Sequence, residues 1–172
     1  MPATTFDHMP NDARLWVFAA PRPLGEQESD ALLERVDAFL ERWAAHGAPV
    51  LGARDFLHGR FLMVAADERA TGVSGCSIDS LFHALAGVEA DLGADLRRSG
   101  SLVFYRDGDG ALRSAERAEF RRLAAAGEVG DDTVVFDNTV ATVGDVRTGR
   151  WETRFRDAWH ARAFPLGAAA AG

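Results

Sequence analysis

Cys76 is the single cysteine of a 172-residue chain, and it lies in Ser74-Gly75-Cys76-Ser77-Ile78-Asp79, a run that reads as the start of a helix. A thiol in the first turn of a helix meets unpaired backbone N–H groups and the positive end of the helix dipole. Both favour thiolate over thiol. The chemistry this suggests is nucleophilic: Cys76 attacks, and the amides of Gly75, Cys76 and Ser77 receive an anion or oxyanion. Asp79 is placed to orient a base, but its charge also opposes the helix field and pushes the thiol pKa back up.

A nucleophile of this kind calls for an imidazole. His46-Gly47 closes an apolar helical pattern and His46 is the first candidate. His83 is closer in sequence, but seven helical residues at about 1.5 Å each hold it roughly 10 Å from Cys76, beyond direct proton transfer. His160, in Trp159-His160-Ala161-Arg162, and Arg14 are weaker candidates for the catalytic set. Each residue also has a plainer reading. Free cysteines are commonly buried, a histidine at a helix end caps it, and Trp159-His160 suits a docking anchor.

The elements that must position these residues follow from hydrophobic period. Ile78, Leu81, Phe82, Leu85, Val88 and Leu92 recur at steps of three and four, which puts Cys76, Asp79 and His83 on the outward side of a helix ending near Gly93. Leu32, Leu33, Val36, Phe39, Leu40 and Trp43 predict another helix over 26–45. Residues 14–20 read as a buried strand stopped by Pro21 and Pro23, and 50–58 and 60–66 as two strands joined at His58-Gly59. A fourth strand is expected over 101–107, followed by the turn Asp107-Gly108-Asp109-Gly110 and a short strand over 111–113.

That order, strand, helix, strand, strand, helix, strand, is the ferredoxin-like split βαβ arrangement (βαββαβ), so the fold class is α+β with a C-terminal α/β extension. In it the end of the first helix lies beside the start of the second, which brings His46, Arg14 and Cys76 to one end of the sheet. The extension comprises a helix over 116–126, a strand over 133–136, a segment over 139–143 that either extends that strand or forms a further one, and a docked segment over 150–164. A single domain over 1–172 is expected, with its core at about 13–107, the extension at about 108–164 and a mobile tail at 165–172.

Composition excludes several functions. All 19 basic residues are arginine and the net charge is −7. Without lysine there is no P-loop, and an acidic chain is a poor nucleic-acid binder. One cysteine forms no internal disulfide and no Cys-x-x-Cys pair, and with no close histidine pair it makes a poor zinc site. Asp107-Gly108-Asp109-Gly110 lacks the glutamate a calcium loop needs, since Ala118 stands there. Asp131, Asp132 and Asp137 read as a solvated loop. No cofactor and no metal is expected. No apolar run is long enough to cross a membrane and the N-terminus is unlike a signal peptide, so a cytoplasmic protein is the expectation.

Four segments together, Arg14-Leu15-Trp16-Val17-Phe18, Trp43-Ala44-Ala45-His46-Gly47, Ser74-Gly75-Cys76-Ser77-Ile78-Asp79 and Trp159-His160-Ala161-Arg162-Ala163-Phe164, resemble an uncharacterised bacterial family of about this length. Its members are often labelled ABC transporter ATPases. The resemblance implies membership and no activity, and the label conflicts with the absence of a Walker lysine. Two functions stand open: a cysteine-dependent enzyme or thiol-reactive protein acting on a small molecule, or a non-catalytic module binding a protein partner or a second copy through the sheet or the stripe Ala86, Gly87 and Ala90.

Overall fold

A computed structural model describes residues 4–167. The chain divides into two compact units, one of residues up to Ser99 with Ala141–Arg147, the other of Gly100–Val140 with residues from Thr148 on. The first contains β1 (Arg14–Ala19), α1 (Glu26–Arg42), β2 (Ala44–Ala45), β3 (Ala48–Pro49), β4 (Leu51–Leu57), β5 (Phe61–Asp67) and α2 (Gly75–Leu92). The second contains β6 (Leu102–Arg106), β7 (Leu112–Glu116), α3 (Arg117–Ala125) and β8 (Val134–Phe136). The chain then adds α4 (Val143–Arg147) to the first unit and β9 (Glu152–Arg154) and α5 (His160–Ala163) to the second. The α+β class holds.

The first unit is built on a three-stranded antiparallel sheet in the order β1-β5-β4. β5 is central and all seven of its residues are buried, as its continuous apolar run requires. β4 and β5 join through His58-Gly59-Arg60: Arg60 N–H donates to the Leu57 carbonyl at 3.1 Å, and His58 and Gly59 take positive φ (56° and 64°), which reverses the chain between the paired residues Leu57 and Phe61. Phe18, Leu62, Val64 and Ala66 share one face of the sheet. There they meet Leu32, Val36, Phe39 and Leu40 of α1 and Leu81, Leu85 and Val88 of α2. Burying apolar side chains of this size contributes about 1.5–3 kcal/mol each, so this layer holds both helices against the sheet.

The expected fourth strand does not join this sheet. Leu102–Arg106 pairs with β7 and β8 in a separate four-stranded sheet ordered β7-β6-β8-β9. On the free side of β1 the chain instead returns at Ala141, whose carbonyl accepts from Leu15 N, and Arg14 bridges Thr142. The further strand expected over 139–143 is therefore only a single bridge. Thr142 and Asp145 exchange hydrogen bonds that turn the chain into α4 after one contact. Arg147 at the end of α4 then donates to the carbonyls of Phe6, Asp7 and Met9.

In the second unit the predicted turn forms as read. Asp107 Oδ1 accepts from the amides of Asp109 and Ala111, and Gly110 takes φ 81°. α3 packs Phe120, Leu123 and Ala124 on Val103 and Val135 of the sheet, and the C-terminal segment adds Phe155, Ala158 and Phe164. Of the residues expected as a tail, Gly167 donates its N–H to the Ala124 carbonyl. A Cβ there would lie 2.1 Å from Ala125 O, so only glycine allows the approach. Residues 168–172 of that tail lie outside the described residues.

Candidate functional site

α2 begins where the sequence places it. Ser74 is the N-cap, its Oγ accepts from Ser77 N at 3.1 Å, and Ser77 Oγ accepts from Ser74 N at 2.7 Å. Cys76 is thus the second residue of an 18-residue helix and its side chain is exposed. Asp79 and His83 are exposed on the same helix, and Ser77, Leu81, Leu85 and Val88 are buried, so the outward face is the one the period predicts.

The anion-binding backbone is smaller than expected. The Ser77 amide is taken by its own cap, which leaves the amides of Gly75 and Cys76 as the unused donors of the turn.

His46 is not in the last turn of α1. That helix stops at Arg42, Trp43 turns to extended backbone (ψ 127°), and Ala44–Ala45 pairs with Ala48–Pro49. His46 and Gly47 form the tip of this hairpin with φ of 52° and 77°. The alanines favour helix, but Pro49 and the buried positions of Trp43 and Ala45, each 2% exposed, stabilise the turn instead. The His46 side chain is exposed and makes no hydrogen bond to Cys76.

The convergence of elements nonetheless holds at one joint. Trp43 follows α1 directly, and its indole Nε1–H donates to the Ser77 carbonyl at 2.9 Å, which ties the end of α1 to the first turn of α2. Its ring contacts Phe39 and, edge-on, Trp16. Arg14 reaches the same sheet end, its guanidinium 5.0 Å from the Trp16 ring and 4.0 Å from Glu68, so its charge is already engaged. Nearby Asp67 is buried and bonded to Arg69, which holds its carboxyl below the usual carboxylate range.

One turn along from Cys76, an open groove between α1 and α2 is lined by Phe39, Arg42, Asp79, Ser80, His83 and Ala84. Sequence reasoning missed Arg42. It lies on the polar side of a helix whose apolar stripe drew the attention, and only the packing of α1 on α2 brings it to Asp79 and His83. Ser80 Oγ donates back to the Cys76 carbonyl at 2.8 Å and so faces the helix backbone.

His160 belongs to the second unit's core. It is 1% exposed, stacked on Trp159 at 4.1 Å and edge-on to Phe120 at 6.2 Å. Burial lowers its pKa from 6.5 to about 4. An imidazole so enclosed is a core ring, not a base for an exposed thiol.

Asp132 pairs with Arg154 and Arg156, and Asp137 accepts from Thr139, so two of the three carboxylates of the acidic segment already have partners. Among the described residues no group of three or more His, Cys, Asp or Glu side chains could hold a metal ion. No described helix is long and apolar enough to cross a membrane. In comparisons with known proteins, no family model, no curated protein and no solved structure matches the chain.

Proposed function

We propose that this protein is thiol-reactive, a cysteine-dependent enzyme in which Cys76 is the nucleophile and the α1–α2 groove receives the rest of a small substrate. The observation that carries this reading is the exposed thiol at the second position of a well-capped 18-residue helix. Two unused amides lie in the same turn, and Arg42, Asp79 and His83 line the groove one turn away. Among the described residues no imidazole is hydrogen-bonded to the sulfur, so in this reading the helix N-terminus is what favours a thiolate. His83 and Arg42 contact substrate in this scheme, and His46 drops out as the base.

The cytoplasmic location and the resemblance to the bacterial family belong to the same proposal, since an exposed reduced thiol persists where disulfides do not. The order β1-β5-β4 is that of three strands of a ferredoxin-like sheet, and we place the first unit in that class as an incomplete member.

The test is the rate of Cys76 alkylation by iodoacetamide against pH, followed by mass spectrometry. A midpoint below the free-cysteine value of about 8.5 supports the reading; a midpoint at or above it removes the case.

A second reading, assembly of copies, is favoured by Leu51, a large apolar side chain 42% exposed at the start of the edge strand β4. The small-residue stripe supports it less. Arg35 reaches across Gly87 to pair with Asp91, which gives that glycine a role within the chain. Light scattering tests assembly, and a strict monomer at high concentration excludes it.

A further inference from the structure

Beyond β9 the chain crosses the second unit as a strap. Among the described residues, 157–166 make no hydrogen bond with α3 or with the sheet. They are anchored on either side, where the Arg156 amide donates to the Asp131 carbonyl and the Gly167 amide to that of Ala124. Between the anchors, the amides of Ala158, Ala161, Arg162, Ala163 and Phe164 find acceptors only in the carbonyls of Phe155, Ala158, Trp159 and His160, so each bond closes locally. α5, four residues long, is too short to hold itself in place through its own backbone.

What holds the strap is contact between rings. Phe164 lies edge-on to Phe120 at 4.9 Å, His160 edge-on to the same ring at 6.2 Å, and Trp159 stacks on His160. The guanidinium of Arg117 stands 5.1 Å from the Trp159 ring, and that of Arg121 stands 5.6 Å from Phe164. Inside this packing two ring nitrogens, Nδ1 of His160 and Nε1 of Trp159, are enclosed without a hydrogen-bond partner. Buried polar nitrogens left unpaired oppose docking, so the strap is held less firmly than the burial of its rings alone would hold it.

A neutral imidazole fits such an enclosure and a charged one does not. Protonation makes both ring nitrogens donors and adds a positive charge. Arg117 of α3 opposes that charge. Asp137, in the loop after β8, favours it without a hydrogen bond to the ring, and its carboxylate already accepts from Thr139. Asp157 and Arg162 of the strap itself are exposed to water. Burial outweighs these charges, so the docked ring has a pKa of about 4 against 6.5 when free. Falling pH therefore charges the detached strap before the docked one and draws the equilibrium toward detachment. We infer that the strap is a proton-operated clasp: His160, on charging, lifts residues 157–166 off α3 while α3 and the sheet stay folded. Detachment uncovers Phe120 and Leu123, apolar side chains that are buried while the strap is docked.

The experiment follows acrylamide quenching of Trp159 in the full chain from pH 7 to pH 4, read as the difference between wild type and Trp159→Phe. Far-UV circular dichroism is recorded on the same samples, and NMR follows the titration of the His160 ring protons. The quenching constant of Trp159 should rise at least twofold with ellipticity retained, at the pH where His160 takes up its proton. His160→Phe keeps a ring in the enclosure and binds no proton, so it should show no such step, and a urea midpoint at pH 7 confirms that it folds. If that variant does not fold, the coincidence of the quenching step with the His160 titration in the wild type decides. No rise by pH 4, a rise that accompanies loss of ellipticity, a rise away from the His160 titration, or the same rise in folded His160→Phe each overturns the inference.

Discussion

The indole Nε1–H of Trp43 donates to the backbone carbonyl of Ser77 at 2.9 Å, and both residues are 2% exposed. This bond joins the residue that ends α1 to the turn that carries Cys76. Trp43→Phe keeps most of the ring and deletes the donor. A buried hydrogen bond contributes about 0.5–1.5 kcal/mol net, and lost packing adds to it, so a loss of about 1–2 kcal/mol in urea denaturation is expected. Loosening the first turn weakens its field as well, so Cys76 should alkylate more slowly at pH 7 in this variant. An unchanged midpoint would show that the bond does not organise the joint.

Asp79 is three residues along α2 from Cys76 and both side chains are exposed, so its carboxylate stands near the thiolate that alkylation consumes. Asp79→Asn removes that charge with little change in shape. Alkylation of Cys76 at pH 7 should accelerate by about twofold, the size of a like-charge pair one turn apart on a helix surface. Added salt should shrink the difference, because both groups are exposed. Slower alkylation in Asp79→Asn would mean that the carboxylate activates the sulfur.

His160 makes stability depend on pH. Its imidazole titrates near 6.5 in the unfolded chain and at about 4 in the fold, lowered by burial first, with Arg117 lowering it further and Asp137 opposing. As pH falls from 6.5 towards 4 the unfolded chain takes up the proton first, so stability is full above this window and declines through it. The gap corresponds to about 3 kcal/mol at about 1.4 kcal/mol per pH unit. His160→Phe should remove this part of the slope, read as the difference between the two proteins' denaturation midpoints across pH 4–7. Parallel curves would contradict it.

What the sequence disclosed, and what it concealed, is clearest at two identical dipeptides. His58-Gly59 and His46-Gly47 both take positive φ at the tip of a hairpin. The first was legible because long apolar strands flank it. The second was not, since its strands are two residues each and Ala44 and Ala45 extend a helical period without a break. The start of α2 was legible for a local reason: the Ser74–Ser77 cap is written in adjacent residues. The destination of residues 102–106 was hidden because a strand's own pattern does not name its partner. β7 follows through a tight turn and captures it by proximity, and that leaves the side of β1 away from β5 with only the Thr142 bridge. The groove's Arg42 and the ring nitrogens of Trp159 and His160 depend on contacts between distant segments, which no single stretch encodes.

Gly52 tests how firmly the joint at Trp43 is held. It lies on β4 opposite Ala66, and a Cβ there would stand 2.9 Å from Leu40 Cδ2 and 3.0 Å from Trp43 Cε3. In a strand free of such neighbours, alanine for glycine stabilises by up to about 1 kcal/mol through the unfolded chain. Here the indole is pinned by the Ser77 carbonyl and by the rings of Phe39 and Trp16, so it has little room to give way. Gly52→Ala should therefore destabilise by about 1–3 kcal/mol, the range for overpacking a filled core. In the Trp43→Phe background the smaller ring should relieve part of the clash, making the double variant more stable than the two single losses sum to. Strict additivity, or a stabilising Gly52→Ala, would mean that Leu40 alone absorbs the methyl group and that the indole is not the fixed point of this joint.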